Sequence, residues 1–237
     1  MQLFYNKDIN ASSNQFTFDK TESRHIVKVL RKKDGDLLYI TNGNNKLFTV
    51  KIILANDKKC LVEIIKSETK PKSWNYHLHI AIAPTKNNDR LEWFIEKATE
   101  IGIDEITPII CSNSERTVLK IERLEKIAQS AMKQSLKYLL PKLNAPKRFS
   151  DFVSQKFDAE LFIAHCEEQE KISLAKSVKP NANILIMIGP EGDFSPLEIE
   201  KALSSKFIPV ALGESRLRTE TAGVVAVNTV AIINELT

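Results

Sequence analysis

The sequence predicts an α/β protein: a small all-β segment followed by a larger domain in which helices alternate with the strands of a mostly parallel sheet. Three observations predict it. Residues 1–72 contain short runs rich in β-branched and aromatic side chains, punctuated by turn residues. Beyond them, apolar runs of strand length alternate with stretches whose apolar residues recur at helical spacing. The 43% hydrophobic content suffices for a real core and excludes wholesale disorder.

In the first segment, residues 36–54 (DLLYITNGNNKLFTVKIIL) read as two strands around an Asn-Gly turn. NDKK then turns the chain into a further strand, CLVEIIK. Strands this short and this close predict a small barrel or sandwich. TKPKSW, with Pro71, reads as a linker, so the expected domains are 1–72 and 73–237.

In the second segment, YHLHIAIAP is a strand with Leu78, Ile80 and Ile82 as its apolar set. RLEWFIEKATEIG places Leu91, Phe94, Ile95, Ala98 and Ile101 on one helical face and stops at Gly102. ITPII is the next strand. KIERLEKIAQSAMKQSLKYLLP predicts a long helix ending at Pro141, with Lys126, Lys133 and Lys137 in one stripe. AELFIAHC, NILIMIG and IPVALG are three more strands, and TETAGVVAVNTVAIINEL is a closing helix capped by Thr219 or Thr221.

The run 184–188 is uninterruptedly apolar, as a strand covered on both faces requires. After it, Ser195, Pro196 and Glu198 form a helix start with a capping box. Between lies Gly-Pro-Glu-Gly, in a chain with only 7 glycines. Two readings are open for that loop: a tight turn, or a backbone that approaches a ligand closely. It matches neither the P-loop nor the dinucleotide-binding fingerprint. Three strands end in unusual loops, AHCEE, GPEGD and LGESRLRTETAG, and in a parallel sheet such ends share one edge. His165, Cys166, Gly189, Gly192, Leu212 and Gly213 can then surround one pocket. Arg216, Arg218 and Glu220 stand beside the start of the last helix, where unpaired amides favour anions.

Net charge is +4 but uneven. Residues 1–72 carry 14 Lys and Arg against 8 Asp and Glu, and residues 116–148 carry 9 against 2. Clustered positive charge is the footprint of an anionic polymer, with nucleic acid leading; a merely solvated basic surface is the alternative. No apolar stretch approaches the length of a membrane span. The first residues lack the pattern of a secretory signal. Cys60, Cys111 and Cys166 form no CxxC pair, so neither a disulfide framework nor a metal site is expected, and a cytoplasmic location is.

IGPEGDFSPLEIE followed by LGESRLRTETAGVVAV resembles the signature of the SPOUT methyltransferases, closest to the ribosomal RNA small subunit methyltransferase E family, which methylates N3 of a uridine in small-subunit ribosomal RNA. HIVKVLRKKDGD and KNNDRLEWFIEKATEIGIDEITP are similar to further motifs of that family, as are SERTV and QSLKYLLP, so the resemblance spans nearly the whole chain. It implies a PUA-like β-barrel followed by a trefoil-knot domain, a homodimer, and S-adenosylmethionine as cofactor. The partner would be ribosomal RNA or the assembled small subunit.

Carried residue by residue, the resemblance assigns the cofactor to His165 and Cys166, to Ile188, Gly189, Pro190, Glu191 and Gly192, and to Leu212, Gly213, Leu217, Arg218 and Thr219. Arg218 is the candidate for stabilising a uridine anion and Glu220 the candidate proton acceptor; a capping or bracing role is the alternative for Glu220. RNA contact is expected of Arg24, His25, Arg31 and Lys32 in the first domain. It is also expected of Lys86, Arg90, Arg116, Lys133 and Lys137. Lys137 stands where the family commonly has arginine and Gln2 where an early arginine is frequent; lysine keeps the charge and loses the bidentate fork. Two other classes fit parts of the pattern: a catalytically silent RNA-binding assembly factor on the same fold, and a phosphate-handling enzyme, against which the absence of a Walker lysine counts.

Overall fold

A computed structural model describes residues 1–10, 12 and 14–236. The chain divides into two compact units, 1–72 with 132–140, and 73–131 with 141–237.

The first unit contains β1 (Leu3–Tyr5), β2 (Gln15–Thr17), β3 (Leu37–Thr41), β4 (Lys46–Leu54) and β5 (Leu61–Thr69). Their sheet order is β1-β3-β4-β5-β2; only β1 and β3 run parallel. The predicted hairpin is β3–β4, turning through Gly43 at φ +73° and Asn45 at φ +58°, the left-handed geometry that glycine and asparagine tolerate best. Phe4, Phe18, Ile40, Phe48 and Val62 fill the core. The all-β reading missed one element. Asp19 accepts from the Glu22 amide and opens α1 (Lys20–Arg24), which runs on as a π-helical turn to Val29 and buries Ser23 and Ile26. So short a helix shows no periodicity, and Asp19 as N-cap was its one local signal.

The second unit opens with β6 (His77–Ile82), α2 (Asn88–Ile101), β7 (Glu105–Ile110) and α3 (Ile121–Gln134), whose last residues, 132–134, belong to the first unit. Then come β8 (Lys142–Leu143), β9 (Lys147–Arg148), α4 (Phe149–Val153), β10 (Glu160–Ala164), β11 (Ile172–Ser173) and α5 (Leu174–Ser177). The last elements are β12 (Asn183–Ile188), α6 (Pro196–Ser204), β13 (Ile208–Ala211) and α7 (Thr219–Glu235). The sheet order is β11-β13-β10-β12-β6-β7-β8, with β9 also on β7, and every pairing is parallel. β6 and β12 are buried on both faces, as their continuous apolar runs require. α2 ends at Gly102, φ +138°, and α6 begins with the Ser195–Glu198 capping box. α7 packs so closely that a Cβ on Gly223 would stand 2.6 Å from the Phe94 ring.

The long helix is shorter than its sequence pattern predicts. α3 stops at Gln134: Leu136 takes φ +55°, and the Lys137 amide closes the turn on the Met132 carbonyl at 3.0 Å. Tertiary hydrogen bonds outcompete helix continuation. The Asn45 amide donates to the Tyr138 carbonyl and the Leu140 amide to the Gly43 carbonyl, each at 2.9 Å. Residues 132–140 therefore pack with the first unit, and the three-lysine stripe does not form, because Lys137 lies beyond the helix.

Candidate functional site

The register places the site. Ala164 at the end of β10 pairs with Ile188 at the end of β12 and with Val210 in β13, and Ile188 pairs with Ile82. The loops after β10, β12 and β13 therefore leave the sheet at one edge, and they line a cavity of about 660 Å³. This is within the range of small-molecule sites.

Of the residues expected there, His165, Cys166, Ile188, Gly189, Pro190 and Glu191 line the cavity, as do Leu212, Gly213, Leu217, Arg218 and Thr219. Gly192 does not; a Cβ there would stand 3.2 Å from Asn113 Cβ. Gly189 is required by packing, since its Cβ would meet the Phe194 ring at 3.0 Å. Packing within the protein thus already calls for glycine at both positions. Gly213 has φ +146°, a backbone angle that favours glycine, and nothing within 4 Å of where a Cβ would be. Lys171, Asp193, Val210, Ala211, Glu214 and Arg216 also line the cavity and were not anticipated as cofactor residues. Lys171 carried no motif signal, because its place depends on loop folding; Asp193 stood inside the GPEGD motif, and only the folded loop shows its contacts.

Side chains lock the loops. Thr219 Oγ1 donates to the Gly189 carbonyl at 3.0 Å, so Thr219 is a tie to the β12 loop and not the expected cap; Arg218 is the N-cap residue, without a side-chain capping bond. Glu191 Oε1 accepts from the Lys86 amide at 2.9 Å. The Arg116 guanidinium donates to the Lys86 carbonyl through Nε at 3.1 Å and Nη2 at 2.9 Å. Glu191 is thus braced structurally, and Lys86 and Arg116 sit behind the same loop.

His165 is buried. Gln169 Nε2 lies 2.6 Å from its Nε2, which as acceptor leaves the neutral ring's proton on Nδ1. That Nδ1 is buried without a hydrogen-bond partner. Burial, then Lys171, pushes the imidazole pKa below its ordinary value, against the opposing pull of Asp193 and Glu167. The His165 ring therefore keeps one hydrogen-bonding position unused beside the cavity.

Arg218 is exposed at the cavity wall. Glu220 is not part of that wall: it is buried, with Oε1 3.8 Å from Arg90 Nε and Oε2 unpartnered. This geometry places Glu220 against Arg90, away from the cavity wall on which Arg218 stands.

The remaining basic residues divide between the units. Arg24, His25, Arg31 and Lys32 are in the first unit, and so are Lys133 and Lys137. His25 Nδ1 lies 3.6 Å and Lys133 Nζ 3.5 Å from Glu22. Lys137 is half-buried, and burial lowers its pKa. Among the described residues no cluster of His, Cys, Asp and Glu could hold a metal ion, and no helix is long and apolar enough to cross a membrane.

Known proteins match along the chain. Residues 72–231 match the RNA methyltransferase domain family and residues 18–65 the RNA methyltransferase PUA domain family. A ribosomal RNA small subunit methyltransferase E from Buchnera aphidicola is 34% identical over 223 residues, 90% of this chain and 87% of that one. A crystal structure of a probable rRNA-methyltransferase from Porphyromonas gingivalis has TM-score 0.92 and 41% identity, covering 100% of this chain and 99% of that one. The methyltransferase Lpg2936 from Legionella pneumophila, solved with S-adenosylmethionine, has TM-score 0.86 and 26% identity, covering 97% and 96%.

Proposed function

The chain belongs to the ribosomal RNA small subunit methyltransferase E family of RNA methyltransferases, and from that premise we propose that it methylates N3 of a uridine in small-subunit ribosomal RNA with S-adenosylmethionine. The observation that carries the reading is the cavity at the shared edge of β10, β12 and β13, with Arg218 on its wall.

The residues present fit that cofactor. Gly213 turns bare backbone toward open space, and His165 Nδ1 is a buried donor without a partner. Ile188, Val210, Leu212 and Leu217 offer apolar contact, while Glu191, Asp193 and Glu214 offer carboxylates suited to a ligand that carries positive charge. When bound, S-adenosylmethionine supplies an electrophilic methyl group.

Uridine N3 carries a proton and is a poor nucleophile until that proton leaves. Arg218 lowers the cost of the uracil anion, because a guanidinium stays charged and forks toward carbonyl oxygens. Its place at the start of α7 adds the positive end of that helix. Glu220 acts indirectly, by holding Arg90. Arg24, Arg31, Lys32 and Lys133 of the first unit supply phosphate contacts for the RNA. The homodimer and the cytoplasmic location belong to the same reading.

Two measurements test it. Calorimetry with S-adenosylmethionine separates an enzyme from a silent assembly factor on this fold, which would bind none. Mass mapping of uridines in small-subunit ribosomal RNA from a deletion strain should show one N3-methyl group missing and restored on complementation; an unchanged map rejects the proposed substrate.

A further inference from the structure

Asp193 stands in an unusual backbone state. Its φ is +64°, in the left-handed region that few residues other than glycine, asparagine and aspartate adopt. Asp193 is nevertheless pinned there. Its amide donates to the Pro190 carbonyl at 2.9 Å, and Asn113 Nδ2 donates to the Gly192 carbonyl at 3.1 Å and to the Asp193 carbonyl at 3.0 Å. Strain that surrounding contacts hold in place is characteristic of functional sites.

The carboxylate shows what the strain secures. Oδ1 accepts from the Phe194 amide at 2.8 Å, within its own loop. Oδ2 accepts from the Cys166 amide at 2.6 Å, in the loop after β10. Bonds from backbone amides to an ionised carboxylate are the strong kind. The far side of the β10 loop is closed separately, by Lys171 Nζ donating to the His165 and Glu167 carbonyls at 2.9 and 2.8 Å. Gly189 belongs to the same device, since a Cβ there would stand 3.2 Å from Asp193 Oδ1. The first glycine of Gly-Pro-Glu-Gly leaves room for the Phe194 ring and for this carboxylate.

We propose that Asp193 is a positioning residue that locks the β10 loop to the β12 loop and so preorganises the cavity for its cofactor, the tie requiring a left-handed aspartate. The inference rests on the cofactor reading above. Preorganisation raises affinity by removing the cost of ordering the loops during binding. Glycine at this position would suit the backbone better and abolish the tie. Asparagine tolerates the left-handed state and keeps one acceptor oxygen, which serves one of the two amides.

The test compares Asp193→Gly and Asp193→Asn with the parent protein in three measurements: thermal melting, calorimetric affinity for S-adenosylmethionine, and amide hydrogen exchange at Cys166 without cofactor. Asp193→Gly should melt within about 3 °C of the parent and no lower than Asp193→Asn. It should lose protection at the Cys166 amide and weaken cofactor binding by about tenfold or more. Asp193→Asn should bind at an intermediate level. Affinity then ranks Asp above Asn above Gly while stability does not, an ordering a merely structural role cannot produce. Parental affinity or parental Cys166 protection in Asp193→Gly overturns the proposal, and so does a glycine variant that fails to fold, which would make Asp193 a general stabiliser. If the parent itself binds no S-adenosylmethionine, the cofactor reading has failed, and Cys166 exchange still decides whether the tie exists.

Discussion

At the edge of the parallel sheet where its strands begin, His79 Nε2 lies 2.7 Å from Thr107 Oγ1, and Asn144 Nδ2 donates to that hydroxyl at 2.7 Å and to Glu105 Oε1 at 2.6 Å. Lys142 Nζ adds a bond to Glu105 Oε1 at 2.9 Å. No atom of this cluster is among the buried polar atoms without a partner. At the edge where β10 and β12 end, His165 Nδ1 is buried and unpaired, and Glu220 Oε2 beside the start of α7 is in the same condition. Aspartate sits in left-handed backbone there and Gly213 at φ +146°. Both edges bury polar groups, and they differ in whether those groups are satisfied. A satisfied network stabilises the fold, while an orphaned group such as His165 Nδ1 beside a cavity leaves a hydrogen bond unmade.

The predictions press on that contrast. The largest effect is expected at the unsatisfied edge. Arg218→Ala should slow single-turnover methyl transfer by about 10²-fold or more with cofactor and RNA saturating. Raising the pH should recover part of the loss, since the uracil imide ionises more readily. A variant that is slow only because it binds RNA weakly would remove Arg218 from the chemistry.

At the satisfied edge the expected effect is on stability. Burial holds the His79 pKa down at about 4, against the opposing pull of Glu105. In the unfolded chain it returns to near its ordinary value, so between about pH 6.5 and 4 the unfolded state binds the proton and the folded state does not. Stability therefore falls as pH drops through that window, by about 2 kcal/mol at pH 5 from this residue. His79→Leu should flatten this acid slope in melting experiments between pH 7 and 5. An unchanged slope would assign the acid sensitivity to other groups.

Gly213→Ala should cost about 1–2 kcal/mol of stability through its backbone angle alone, because the added methyl meets no neighbour. It should also weaken S-adenosylmethionine binding in calorimetry; parental affinity would remove Gly213 from the site. The smallest effect is expected for Glu220→Gln, about threefold or less in single turnover, as suits a residue bracing Arg90. A loss of about 10²-fold, the scale of general base catalysis, would restore Glu220 as the proton acceptor.

Much of the fold was legible in the sequence because local physics decides it. The buried run 184–188, the Ser195–Glu198 capping box, the stop at Gly102 and the Asn-Gly hairpin each follow from a few adjacent residues. The three loops that line the cavity were legible too, since apolar runs ended in conspicuous motifs and a parallel sheet sends such ends to one edge. Only the tertiary structure decided the rest. The end of α3 at Gln134 depends on hydrogen bonds from residues 138–140 to the β3–β4 turn, nearly a hundred positions away, against a local pattern that favours helix. Gly189 was legible as a special position, but its reason, the Phe194 ring and the Asp193 carboxylate, arises only when the loop folds. The burial of Glu220 and the tie from Asp193 to Cys166 likewise follow from which segments the sheet brings side by side. Propensity and periodicity act within a turn or two of the chain, whereas a site is made of contacts between distant segments, and only the packed sheet sets those distances.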